Sequence, residues 1–310
     1  MKKVLIIGGA GYIGGYTTDY LLQKGYDVCV FDSLLYETRY LKKVNFIYGD
    51  IRDTELVIKT AIDYDCIIIM AAFVGDPVCA GHPDLADEIN HIAVKNICHG
   101  LTNQHVIFLS TCSVYGKNDN MLDEFSPVNP LSVYAKTKFK AENYIYEKNG
   151  TIFRLGTVYG IGDSFSRIRL DLVVNVLAMR SFYEKEITIY GGEQWRPLIS
   201  VKDIAGYINE AIDRGIRGTY ILSNENCRMK ELASRIALPD TTINYTESKP
   251  DDARNYKVSQ FNSQLKFIYH PVYTIEDEVK ELFALFKERR IKNVYSSDYH
   301  NGEYLKNLSK

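Results

Sequence analysis

Short apolar runs recur through the first half of the chain, each followed by a polar stretch with helical spacing. The runs are residues 4–7, 28–31, 44–48, 66–70, 106–109 and 151–155. Being four or five residues long and rich in Val and Ile, they predict strands buried on both faces, as in a parallel sheet. Between them, helices are expected over 16–24, 53–62, 84–102 and 133–148. The third has Pro83 at its entry and an apolar stripe through Ile89, Ala93 and Ile97. Alternation of this kind predicts an α/β fold with right-handed crossovers and helices on both sheet faces.

The first turn narrows the picture. Gly8, Gly9, Gly11 and Gly14 follow the first strand at once and open the first helix. Two spacings overlap: Gly9, Gly11 and Gly14 fit G-x-G-x-x-G, while Gly8, Gly11 and Gly14 fit G-x-x-G-x-x-G. Strand, glycine turn and helix together form the context of a dinucleotide fingerprint, in which the helix N-terminus receives a pyrophosphate. Asp32 ends the second strand, 18 residues beyond Gly14. A carboxylate there accepts hydrogen bonds from ribose hydroxyls and repels a 2′-phosphate, and the nearest following arginine is Arg39. The expected cofactor is NAD. Ligands of such sheets bind beyond the carboxyl ends of the strands. Gly8–Gly14, Asp32, Ala71, Ala72 and residues 110–113 should therefore line one crevice.

Composition excludes several other classes. The 310 residues are 46 % hydrophobic, enough for a sizeable core, and the net charge of −2 offers no nucleic-acid footprint. The six cysteines contain no C-x-x-C pair, so reduced, buried thiols in a cytoplasmic protein are expected. The six histidines form no cluster with metal-ligand spacing, and no metal site is expected. Met1-Lys2-Lys3 precedes only four apolar residues, too few for a signal peptide. No run approaches the ~18 residues of a membrane span.

Tyr134 and Lys138 stand four residues apart and so share one face of their helix. A free phenol, with a pKa of about 10, is a poor base at neutral pH. A lysine cation and an oxidised nicotinamide ring would both favour the phenolate. Thr111, at the tip of the preceding strand, can orient a substrate hydroxyl. These three are the candidate catalytic residues.

Taken together, these stretches resemble the extended short-chain dehydrogenase/reductase family, in its nucleotide-sugar epimerase/dehydratase branch. The resemblance runs from Val4 to about Phe286. It rests on the glycine turn, Asp32, Gly49-Asp50, Asn90, STCSVYG (110–116), YAKTK (134–138), FRLGTVYG (153–160), GGEQWRPLISVKDIA (191–205) and DARNY (252–256). It implies a Rossmann-type doubly wound sheet with a smaller C-terminal substrate-binding lid. It assigns cofactor contacts to Gly8, Gly11, Tyr12, Ile13, Gly14, Asp32, Asp50, Ile51, Ala71, Ala72, Tyr134 and Lys138. Lys138 would also hold the nicotinamide ribose. By the same likeness Cys112, Ser113, Asn175, Arg196 and Arg254 bind a nucleoside diphosphate sugar, the last three gripping its pyrophosphate. Arginine suits that task, since its planar fork pairs phosphate oxygens and keeps its charge. The resemblance further implies a homodimer built on the helices at 84–102 and 133–148, with Ile92, Ile97, Phe139 and Ile145 as candidate contacts.

The pattern breaks at Cys112 and Ser113, where sugar-nucleotide 4,6-dehydratases carry Asp-Glu. Neither residue can serve as the acid and base of dehydration, and Cys112 reads as a small buried residue. Redox at the sugar C4 remains: dehydrogenation, reduction of a 4-keto sugar, or epimerisation. The stretches 73–80 and 167–175 look closest to a subgroup from bacterial surface-polysaccharide pathways. Polar groups in the loops after the fourth and last strands, including Asp76, Asp163, Arg167 and Arg169, are candidates to hold sugar hydroxyls. If they do, the sugar cannot swing freely. The expectation is thus an enzyme working on one face of C4, with 4-epimerase as the alternative and a non-catalytic dinucleotide sensor behind both. The expected NAD-binding domain is 1–155 with a returning segment at 199–223. The substrate domain is 156–198 and 224–292, and the tail 293–310 is unassigned.

Overall fold

The computed structural model describes residues 1–37, 40–165, 167–247 and 254–308, without the side chain of Leu308. Arg39, Asp252 and Ala253, singled out above, lie outside the described residues.

Five strands and five helices open the chain. They are β1 (Lys3–Ile7), α1 (Tyr12–Gln23), β2 (Asp27–Asp32), β3 (Asn45–Tyr48), α2 (Thr54–Ala61), β4 (Cys66–Ile69), α3 (Asp76–Gly81), α4 (Pro83–Asp87), α5 (Ala93–Gly100) and β5 (His105–Thr111). Then follow β6 (Lys117–Leu122), α6 (Val133–Glu147), β7 (Thr151–Leu155), β8 (Thr157–Tyr159), α7 (Val173–Tyr183), β9 (Glu186–Tyr190), β10 (Trp195–Ser200), α8 (Val201–Arg214) and β11 (Gly218–Leu222). The chain closes with β12 (Glu225–Arg228), α9 (Met229–Ile236), β13 (Thr242–Thr246), β14 (Asn255–Val258), α10 (Phe261–Lys266), α11 (Ile275–Lys287) and α12 (Asn301–Leu308).

Seven parallel strands form the main sheet in the order β11-β7-β5-β4-β1-β2-β3. The chain thus starts in the middle, winds to one edge, and reverses between β1 and β4, the topological switch point where such sheets bind ligands. Burial explains the apolar runs. Val4 to Ile7 and Cys66 to Ile69 are at most 1 % exposed, with alternate residues feeding one core on each face. The sequence separates β11 from β7 by a long excursion, yet β11 pairs with β7 through five residues.

A second body covers the carboxyl ends of these strands. It holds a three-stranded sheet β12-β10-β8, the pair β13-β9 and a core of α7, α9 and α11 side chains. The fold is a Rossmann-type α/β sheet with smaller C-terminal sheets.

Local departures have physical causes. The expected helix at 84–102 is interrupted by a wider, π-type turn over Glu88–Ile92, which lets Asn90 point into the core. Helix α1 begins at Tyr12, earlier than its periodicity indicated, because the glycines themselves enter the first turn. Ile97 and Ile145, offered above as dimer contacts, are fully buried among this protomer's own side chains, and Phe139 packs against the cluster around Tyr115. Of the four, Ile92 alone stays at the outer surface. Among the described residues no helix is long and apolar enough to cross a membrane.

Candidate active site

A cleft of about 1670 Å³ runs along the carboxyl ends of the sheet. Pockets for one small ligand commonly span about 300–1,000 Å³, so this one has room for a dinucleotide and a second nucleotide. Gly8, Gly11, Tyr12, Ile13, Gly14, Asp32, Asp50, Ile51, Ala71 and Ala72 all line it, as do Thr111, Ser113, Tyr134, Arg196 and Arg254.

At one end the glycine turn is held by contacts that only glycine allows. Gly8 has φ +87°, and a Cβ there would meet the backbone nitrogen of Ala71 at 2.3 Å. A Cβ on Gly14 would meet the Gly8 carbonyl oxygen at 2.4 Å. Gly9 lies instead against Val30, outside the cleft, so the working spacing is Gly8, Gly11 and Gly14. No side chain caps α1, whose first N–H groups are left for a phosphate. Asp32 accepts hydrogen bonds from the Ala10 N–H at 3.0 Å and the Leu34 N–H at 2.8 Å. These bonds aim its carboxylate into the cleft while burial pushes its pKa up. Asp50 lines the same end, and its carboxylate is paired with Arg52 at 2.7 Å, which holds its pKa down. The residues fit a dinucleotide.

The middle of the cleft holds the candidate chemistry. The Thr111 hydroxyl accepts the Ser113 N–H at 3.1 Å, leaving its own O–H to donate. Tyr134 faces the cleft from α6. The protein's own groups push its phenol up, burial first, then Cys79 and Asp76, with Arg169 opposing. The lowering expected from Lys138 is therefore not what these side chains produce. Lys138 is 2 % exposed and stands behind the cleft wall, its ammonium 3.9 Å from the centre of the Phe108 ring. Burial pushes it down to about 7, against the attraction of Glu142.

Glu142 belongs to a buried network that locks α6 to β5 and β7. It accepts the Ser110 hydroxyl at 2.5 Å and pairs with Arg154 at 2.7 Å, and Arg154 donates to the Tyr115 hydroxyl at 2.9 Å. Thr111 and Tyr134 are set relative to each other through it. Nothing in the sequence pattern pointed to this network beyond the spacing of Glu142 one turn from Lys138.

Two expected substrate residues do not reach the cleft. Cys112 is fully buried, with its thiol donating to the Arg154 carbonyl at 3.3 Å, and burial pushes its pKa up. Asn175 is fully buried too. Its amide bridges the N–H and carbonyl of Gly160 and the carbonyl of Arg169, so it shapes the loop that follows β8 and touches no ligand space. Trp195 lies outside the cleft, its ring flanked by Arg228 and Lys257. Arg196 and Arg254 do come together, Arg196 donating to the Arg254 carbonyl, and both face the cleft.

The loops hold further surprises. Asp163 is taken up by Lys42, which also reaches Asp19 and the Gly15 carbonyl. Arg167 lies over the rings of Tyr36 and Tyr304 and donates to Asn301. Arg169 is held by Asp171 at 2.9 Å. The unassigned tail becomes α12, and Asn301, Gly302 and Leu305 complete the cleft wall beside Tyr36 and Val78.

The family described as "NAD dependent epimerase/dehydratase family" matches residues 4–221, more than half of the chain. This chain belongs to that family. Along its length the family enzyme is 22 % identical to UDP-glucuronic acid decarboxylase 1 of Danio rerio, over 96 % of this chain and 75 % of the relative. Its fold matches UDP-glucose 4-epimerase of Thermus thermophilus, solved with NAD, with a TM-score of 0.78 at 24 % identity, covering 91 % of this chain and 99 % of that one. UDP-glucose 4-epimerase of Thermotoga maritima, solved with UDP-glucose, gives 0.80 at 21 % identity, covering 93 % and 99 %. The protein is an NAD-dependent enzyme of that family.

Proposed function

We propose that this enzyme oxidises the C4 hydroxyl of a nucleoside diphosphate sugar and returns hydride to the opposite face, as a 4-epimerase. One observation carries the reading: Thr111 and Tyr134 line the same cleft as Asp32 and the Arg196–Arg254 pair. NAD, when bound, supplies the hydride acceptor and a positive charge beside the phenol. Thr111 orients the C4 hydroxyl, and Tyr134 takes its proton and later gives it back. Arg196 and Arg254 hold the pyrophosphate, and the walls of the cleft exclude water from the ketone.

The expectation of chemistry on one face counted Asp76, Asp163, Arg167 and Arg169 as partners of the sugar. All four have protein partners instead, Asp76 through its ion pair with Arg254. Asp76 stays a candidate through its Oδ1, which is buried in the cleft and has no hydrogen-bond partner among the described residues. That residue favours a second reading, a one-face 4-dehydrogenase or 4-ketoreductase. A single hydrogen bond to a charged group is worth about 1.5–3 kcal/mol, so breaking it slows a swing of the sugar by roughly ten- to 150-fold. Three such bonds would have prevented turnover by rotation, whereas one does not.

Incubation with UDP-glucose carrying deuterium at C4, followed by NMR, separates the two. The C4 epimer with deuterium retained and no accumulated ketone supports epimerisation. A ketone with equimolar reduced cofactor supports one-face redox, and no turnover of any nucleotide sugar leaves only a binding protein. The reading includes a homodimer, for which the family resemblance speaks and Ile92 is the remaining apolar contact. Light scattering at micromolar concentration should give twice the protomer mass.

A further inference from the structure

Asp76 opens α3 on the loop that follows β4 and lines the cleft. Its Oδ2 lies 3.1 Å from the Arg254 guanidinium, while Oδ1 is buried and has no hydrogen-bond partner among the described residues. The carboxylate is close enough to Tyr134 to oppose ionisation of the phenol. Both residues line the same cleft, and with C4 at Tyr134 this carboxylate faces the sugar. Two other charged groups near this part of the cleft are spoken for: Arg169 by Asp171, and Lys138 behind the wall over Phe108.

From these placements, and resting on the reading that C4 redox takes place at Tyr134, we infer that Asp76 selects the substrate by charge. The sugar carries a hydrogen-bond donor, a hydroxyl or an ammonium, toward Oδ1, and a uronic acid is excluded. Two facts drive this. A buried acceptor oxygen is stabilised by a donor and left unsatisfied by anything else. A second carboxylate brought beside it meets repulsion in a site of reduced dielectric, where Arg169 is already neutralised by Asp171. Arg254 offsets part of that repulsion through its ion pair with Asp76. A pyrophosphate held by Arg254 competes for the same guanidinium, so the Asp76 charge is then less compensated. The substrate side of the cleft is thus matched to a neutral or amino sugar, in contrast to the uronate named for one relative.

The test is calorimetry on the NAD-loaded enzyme at pH 7.5 with UDP, UDP-glucose and UDP-glucuronic acid. UDP-glucose should bind at least tenfold more tightly than UDP-glucuronic acid. In Asp76→Asn, which keeps the size and removes the charge, the ratio of the two sugars should fall toward unity, with UDP alone as the reference for any change in the Arg254 grip. Binding of UDP with equal affinity for the two sugars in the wild type would overturn the assignment of Asp76 and leave the nucleotide-sugar reading intact. A ratio preserved in Asp76→Asn would show that another group makes the choice. Failure of UDP and both sugars to bind would overturn the uridine nucleotide-sugar reading, and this assignment with it.

Discussion

The side-chain amide of Asn90 clamps the backbone of Phe73 from both sides, accepting its N–H at 2.7 Å and donating to its carbonyl at 2.9 Å. Asn90 also donates to the Thr137 hydroxyl at 3.2 Å, and the Cys79 thiol donates to the same Phe73 carbonyl. One fully buried residue thereby ties the loop after β4 to the helix that bears Tyr134. Asn90→Ala should destabilise the protein by about 2–4 kcal/mol, since it strands a buried N–H and leaves a void. A shift of the urea midpoint at constant slope is the measurement. A loss below about 0.5 kcal/mol would mean that the loop is held otherwise.

Asp32 offers its carboxylate to the cleft with both oxygens already oriented by backbone N–H groups. Binding of NAD should exceed binding of NADP by at least tenfold at fixed salt, from ribose hydrogen bonds gained and phosphate repulsion avoided. Asp32→Asn should narrow that ratio chiefly by weakening NAD. Fluorescence titration with the two cofactors decides, and equal dissociation constants in the wild type would remove the role given to Asp32.

Tyr134→Phe should lower turnover by about two orders of magnitude or more while NAD binding stays unchanged, because only the proton transfer is lost. Initial rates with UDP-glucose and UDP-galactose read the first quantity, and cofactor titration reads the second. A turnover number near that of the wild type would show that another group takes the C4 proton.

Lys138 links chemistry to pH through stability. Its ammonium is pushed down to about 7 in the folded protein from an ordinary value of 10.5. Below about pH 7 it is protonated in both states, and its burial destabilises the fold by a constant amount. Between about 7 and 10.5 the unfolded chain binds more protons at this site, so its contribution to stability improves as pH rises. Lys138→Met removes the charge and should be more stable than the wild type at about pH 6.5. The gap should shrink steadily toward about pH 10. Chemical denaturation of both proteins across that range provides the comparison, with the other titrating groups cancelling in the difference. A gap independent of pH would place the Lys138 pKa outside the window.

Much of the nucleotide end was legible because its signals are local. A buried strand, a glycine turn and a helix start follow one another within a dozen residues, and Asp32 is the last residue of the next strand. Choosing between the two glycine spacings required the neighbouring strands, since what excludes Gly9 from the cleft is the Val30 side chain of β2. Cys112 was read as a small buried residue, and so it is. Asn175 was assigned to the pyrophosphate by resemblance. Its amide is consumed by Gly160 and Arg169, an arrangement set by how one loop folds back on α7.

Charge partners were the least legible feature. Asp163, Arg167 and Arg169 looked like free polar groups in a loop, because sequence shows a charge and not what neutralises it. Their partners are Lys42 from the loop after β2, Tyr36 and Tyr304 from two distant segments, and Asp171 two residues on. The tail shows the same limit. Tyrosines and polar residues without strong periodicity offered no element, yet Leu305 packs, as Tyr134 and Val133 do, against the cluster of Phe73, Val78, Cys79 and Ala86 once the chain has wrapped round.

What the sequence determined by itself was therefore the order of strands and helices, the glycine turn, the acidic residue at the end of β2, and a tyrosine and lysine on one helical face. Each depends on a spacing of a few residues, which the chain carries whatever it packs against. The tertiary structure alone decided that Asp76 pairs with Arg254, that Lys138 stands behind the wall with its charge disfavoured, and that α12 closes the cleft. Burial and pairing arise between segments far apart in the chain, and their sign and strength follow from distance and desolvation, which exist only after folding.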